Sequence, residues 1–128
     1  MKILITAGLL FSSMSLAQAG PKIIVVTAEK PQAHIFVKTS HLGQGFYAFS
    51  VRAQVKEPAD FRAYLILQND KGNLLSTPML RTHMEDGTMR VYAAVHADLL
   101  KWARIDLRHD MVLYQLQLES FKKAFENK

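Results

Sequence analysis

Gly45-Phe46-Tyr47-Ala48-Phe49-Ser50-Val51-Arg52-Ala53-Gln54-Val55 sets Tyr47, Phe49, Val51, Ala53 and Val55 on alternate positions, with Ala48, Ser50, Arg52 and Gln54 between them. Period-two alternation of this length marks a β-strand with one dry face. A strand of that kind must lay its apolar face on a second layer, so the segments on either side are read for what supplies it.

Upstream, Lys22 to Thr27 is a β-branched run and Ala33 to Lys38 alternates, giving two strands before a loop from Thr39 to Gly45. Downstream, a turn at Lys56 to Asp60 leads to Phe61–Gln68, which is apolar on much of both faces and so belongs in the middle of a sheet. Leu74 to Leu80 is weaker, and Pro78 demotes it to an edge or a bulged strand. Asp86-Gly87 is a hairpin signal that introduces Thr88 to His96, with Met89, Val91, Ala93 and Val95 facing in. Ala97 to Trp102 breaks the period; Asp98 is placed to cap one helical turn whose Leu99, Leu100 and Trp102 plug an end. Ala103 to Arg108 and Met111 to Glu119 alternate again, and Phe121 to Lys128 reads as a basic tail with a frayed helical turn. Seven to eight short strands without a helix of ordinary length predict an all-β fold, an antiparallel Greek-key β-sandwich of immunoglobulin-like kind. The packing expected is Tyr47, Phe49, Val51 and Val55 against the inward sides of Phe61 to Gln68 and Ala103 to Arg108.

The N-terminus bounds the compartment. Lys2, the apolar run Ile3 to Phe11, a Ser-rich patch and Ala17-Gln18-Ala19 have the order of a secretory signal, with cleavage expected after Ala19. That leaves residues 20–128 as a single domain, expected to be periplasmic or secreted, with no transmembrane segment after signal removal. The chain has no cysteine, so the sandwich holds together without a disulfide. The formal net charge of +5 is spread along the strands rather than clustered, the pattern of a solvated sheet face. No basic run with interleaved aromatics is present, which argues against nucleic acid.

Chemistry has few candidates. No Gly-x-Ser-x-Gly, His-Glu-x-x-His or glycine-rich phosphate loop occurs, and Asp60, Glu85, Asp86, Asp98 and Asp110 fall at expected turns, so no enzyme is expected. His83, Met84, His109 and Met111 combine imidazole and thioether, the soft ligand set that suits Cu(I). Met84-Glu85-Asp86-Gly87-Thr88-Met89-Arg90 and His109-x-Met111 resemble parts of the His/Met motif of the small periplasmic copper chaperones of cupredoxin-like fold. Two places where that motif has a His and a further Met hold Leu80 and Val91 here. The resemblance implies a periplasmic copper-binding protein as the alternative function. The first reading is a non-catalytic binding or assembly module without a cofactor, whose partner is another protein or an envelope component. Its contact candidates are His41 in the Ser40 to Gly45 loop, Trp102 in the Ala97 to Trp102 segment, the Lys56 to Asp60 turn and the edge near Pro78.

Overall fold

The computed structural model describes residues 20–55 and 61–127. The signal assigned to residues 1–19 and the turn at 56–60 lie outside them. Among the described residues ten strands run in the order β1 (Lys22–Val26), β2 (Ile35–Gly43), β3 (Phe46–Gln54), β4 (Phe61–Gln68), β5 (Leu74–Ser76), β6 (Met79–Leu80), β7 (Thr82–Glu85), β8 (Thr88–His96), β9 (Ala103–His109) and β10 (Val112–Gln117). A 3-10 helix at Ala97–Trp102 separates β8 from β9, and helix α1 (Leu118–Glu126) follows β10. The strands form a six-stranded sheet, β1-β10-β9-β4-β5 with β6 also on β4, and a four-stranded sheet, β2-β3-β8-β7.

From Phe49 to Gln54 burial follows the two-residue period, while Ala48, on the other face, is buried as well. Tyr47, Phe49, Val51 and Ala53 are buried and share one core with Phe61, Ala63, Ile105 and Leu107 from the other sheet, with Val55 packed against it. β4 is interior, between β9 on one side and β5 and β6 on the other, as its two-sided apolarity requires. Asp86 and Gly87 take φ values of 51° and 77° between β7 and β8, the positive pair a two-residue hairpin needs. Gly45 takes φ +83°, which favours glycine, and a Cβ there would sit 2.6 Å from Nε2 of His96, so that ring would have to shift.

Several expectations are corrected. The sandwich is not wholly antiparallel, because β1 pairs parallel to β10, from Lys22 opposite Val112 to Val26 opposite Leu116. Among the described residues the strand count rises to ten because Pro78 splits Leu74 to Leu80 into β5 and β6 and because Thr82–Glu85 pairs with β8. β2 does not stop at Lys38; it keeps its register on β3 through His41 and, after a bulge, ends at Gly43, so most of the expected loop is strand. The 3-10 helix is capped by His96, whose Nδ1 accepts from the Asp98 N–H at 3.1 Å, and not by Asp98. The tail is not frayed: α1 buries Leu118 and packs Phe121 and Phe125 on the core, a stripe at i, i+3 and i+7. The i,i+4 pairs Lys122–Glu126 (3.4 Å) and Glu119–Lys123 (3.9 Å) reinforce it.

Among the described residues, Asp106 is the charged group that is buried, on the outer side of the larger sheet. Asp106 is 8% exposed and accepts from Nε of Arg104 at 2.8 Å. Burial raises its carboxyl above the usual aspartate range, with the Arg104 hydrogen bond and charge opposing. An acid whose folded-state value is raised adds stability at low pH and loses it as pH rises through that value. Wild type is therefore expected to gain stability relative to Asp106→Asn as pH falls through the acid range. Urea midpoints of both proteins across that range check it, and a gap that stays constant with pH contradicts it.

Candidate binding groove

The two flanks of the sandwich are finished differently. On one, β5, β6 and β7 are three, two and four residues long, and Pro78 interrupts them, which is how sheet edges are blunted. On the other, β2 is a nine-residue edge strand without proline. Beside it lies a groove of about 510 Å3 lined by Val37, Lys38 and Thr39 of β2, by Ala28, and by Phe121, Ala124 and Phe125 of α1. That volume is within the range of ligand clefts.

Hydrogen bonding fixes which side of β2 faces the groove. Gln54 N–H donates to the His34 carbonyl at 3.0 Å, and the register runs on through Ile35 opposite Ala53. His34 and Gln54 are therefore a hydrogen-bonded pair, and such pairs alternate along an antiparallel ladder. Phe36, Lys38 and Ser40 bond across to Arg52, Ser50 and Ala48, while Val37, Thr39 and His41 turn their N–H and C=O groups away from β3. The opposite side of β3 agrees: Val55 N–H donates to Gly87 and Ala97 N–H to the Gly45 carbonyl, so odd-numbered residues of β3 bond to β8. Among the described residues, the outward groups of Val37, Thr39 and His41 have no protein partner. Unpaired strand-edge groups are a template for another chain.

Helix α1 is held in place at both ends. Ala28 N–H donates to Oγ of Ser120 at 3.1 Å, and that hydroxyl donates to the Gln117 carbonyl at 2.7 Å. At the other end Tyr47 Oη donates to Oε2 of Glu126 at 2.8 Å, and Nζ of Lys122 sits 5.6 Å from the Tyr47 ring centroid. The Tyr47 hydrogen bond holds the Glu126 carboxyl below its ordinary value, against partial desolvation, with Lys122 and His41 adding to the lowering. The same bond pushes the Tyr47 hydroxyl up. Tyr47→Phe is expected to return the Glu126 carboxyl toward the ordinary glutamate range, read by side-chain NMR titration. A Glu126 value that does not move contradicts the latch.

The residues singled out in the sequence fall into three places. His41 lies on the edge strand itself, opposite Tyr47, with ring centroids 4.9 Å apart. Trp102 is half-buried at the loop end of the larger sheet: Nε1 donates to Asp70 at 2.8 Å and Nζ of Lys101 lies 4.8 Å from its ring. The buried plug at that end is Leu100, at 1% exposure. Within the His/Met set, His83 is exposed while Met84 packs against the core, so consecutive residues of β7 point to opposite faces. His109, on the other sheet, stacks on Phe61 at 4.7 Å with rings 16° apart, and Met111 is exposed in the following turn. Among the described residues, no three His, Cys, Asp or Glu side chains gather as a metal group.

Sequence reading did not single out the groove. Its α1 wall lies in the segment read as a tail, and nothing in a nine-residue alternation says which strand ends a sheet. It also passed over His34, whose Nε2 is 3.1 Å from Tyr114 Oη; with Gln54, Val55, Phe61 and His109 they line a cavity of about 200 Å3 at the far end of β9 and β10. No helix among the described residues is long and apolar enough to cross a membrane. Compared with known proteins, the chain matches no family model, no curated protein and no solved structure.

Proposed function

We propose that this is an exported, periplasmic or secreted, non-catalytic β-sandwich module that binds another protein or an envelope component along the groove between β2 and α1. The observation that carries the reading is the row of unpartnered backbone groups on β2 opening into an apolar groove, on a molecule whose opposite flank is blunted. Its immunoglobulin-like Greek-key character belongs to the same proposal. In its support, the chain changes sheet in steps, and both central neighbours, β3 with β8 and β4 with β9, are far apart in sequence. Copper binding by His83, Met84, His109 and Met111 gains no support from the opposite facing of His83 and Met84.

A photo-crosslinking residue at Ala124 in the groove, and a second variant carrying it at the exposed Tyr92 on the outer face of the four-stranded sheet, test the site in cells exporting the protein. A discrete adduct from Ala124 and not from Tyr92 is expected. Identical adducts from both, or none from Ala124, overturn the groove as the binding site.

A further inference from the structure

We infer that the groove takes its partner as an added β-strand: an extended segment of a different protein, apolar on alternate residues and acidic between them, docks on the open edge of β2. The inference rests on the groove reading and specifies its chemistry. Val37, Thr39 and His41 supply the ladder groups. Val37 and Thr39 also line the groove with Phe121, Ala124 and Phe125, so the partner residues opposite them turn their side chains into an apolar wall. The intervening partner residue stands beside Lys38, whose side chain is exposed.

Lys38 decides the occupant. It is the only Lys, Arg, Asp or Glu in β2, and none of the ion pairs among the described residues involves it. The nearby helix charges are engaged with each other, Lys122 with Glu126 and Lys123 with Glu119. A carboxylate directly across the new strand pair is favoured, and a like charge is opposed. The same residue disfavours a second copy: an antiparallel twofold pairing centred on Val37 or Thr39 sets the two Lys38 side chains diagonally on one face, within reach of each other. The apolar wall makes the segment's alternate residues hydrophobic, so the recognition pattern is apolar-acidic-apolar.

The probe is the acetylated, amidated peptide Val-Thr-Val-Glu-Val-Thr-Val, with a partner peptide carrying Lys in place of Glu and a third carrying Pro in place of both central Val residues. The full mature chain is titrated with each and followed by amide hydrogen exchange and NMR shifts. The Glu peptide is expected to slow exchange at Val37, Thr39 and His41, to bind about threefold more tightly than the Lys peptide, and to lose binding in the Pro version. Lys38→Glu, an exposed substitution that leaves the fold intact, is expected to reverse the preference. No binding of the Glu peptide at millimolar concentration, shifts that map elsewhere, an unchanged preference in Lys38→Glu, or a concentration-dependent dimer that excludes the peptide each overturns strand addition. An adduct at Ala124 together with a failed peptide titration leaves the groove reading standing and removes only this mode.

Discussion

Phe49→Ala is expected to destabilise the domain by about 3–5 kcal/mol, the range for deleting a fully buried aromatic. Phe49 is 0% exposed at the centre of β3, with Val91 and Leu107 in the same core, so nothing polar can refill the space left behind. Against the roughly 5–15 kcal/mol that holds a domain of this size together, the loss moves the urea midpoint by on the order of 2 M or unfolds the chain outright. Phe36→Ala is the comparison. Phe36 is 47% exposed on the outer face of the edge strand, with Arg52 5.6 Å from its ring, and its removal is expected to cost under about 1 kcal/mol. Similar midpoint shifts for the two variants would show that the alternation of β3 does not set the core.

The same alternation explains how far the sequence carries. Where a strand has one dry face, as from Phe49 to Ala53 or Met89 to Val95, the period gives the element and its buried side. Pro78 and Asp86-Gly87 were legible because each imposes a backbone geometry whatever surrounds it. The β10–α1 boundary was not, because Leu118 satisfies two periods at once. It continues Tyr114 and Leu116 at spacing two and begins Leu118, Phe121 and Phe125 at helical spacing. The parallel pairing of β1 was hidden for another reason: pairing across nearly the whole chain depends on the finished sandwich and leaves no local mark. His41, expected in a loop, lies instead on the open edge strand, where its charge acts on the Glu126 carboxyl. The groove needed α1 and the strand order together, and neither was available from residue types.

Proline placement on β2 should separate two adjacent residues sharply. Lys38 stands in a hydrogen-bonded pair with Ser50, so Lys38→Pro removes a ladder donor and strands the Ser50 carbonyl. A cost of about 1–3 kcal/mol follows from the unsatisfied acceptor. Thr39 directs its N–H to the open edge, so Thr39→Pro loses no ladder bond and is expected to fold with a smaller change in urea midpoint. The order inverts for binding. Thr39→Pro removes a donor from the edge that a partner strand would use, and the Ala124 crosslink is expected to disappear in a protein that remains folded. Equal destabilisation by the two prolines would mean that the register of β2 on β3 is not the one described, and a crosslink that survives Thr39→Pro would separate partner binding from the edge.

The most direct test of the open edge is amide hydrogen exchange of β2 in the free protein, resolved residue by residue by NMR. Phe36, Lys38 and Ser40, bonded to β3, are expected to exchange slowly, and Val37, Thr39 and His41 quickly, in strict alternation. Slow exchange at Val37, Thr39 and His41 without any ligand would contradict the account, because it would show that the edge is already covered.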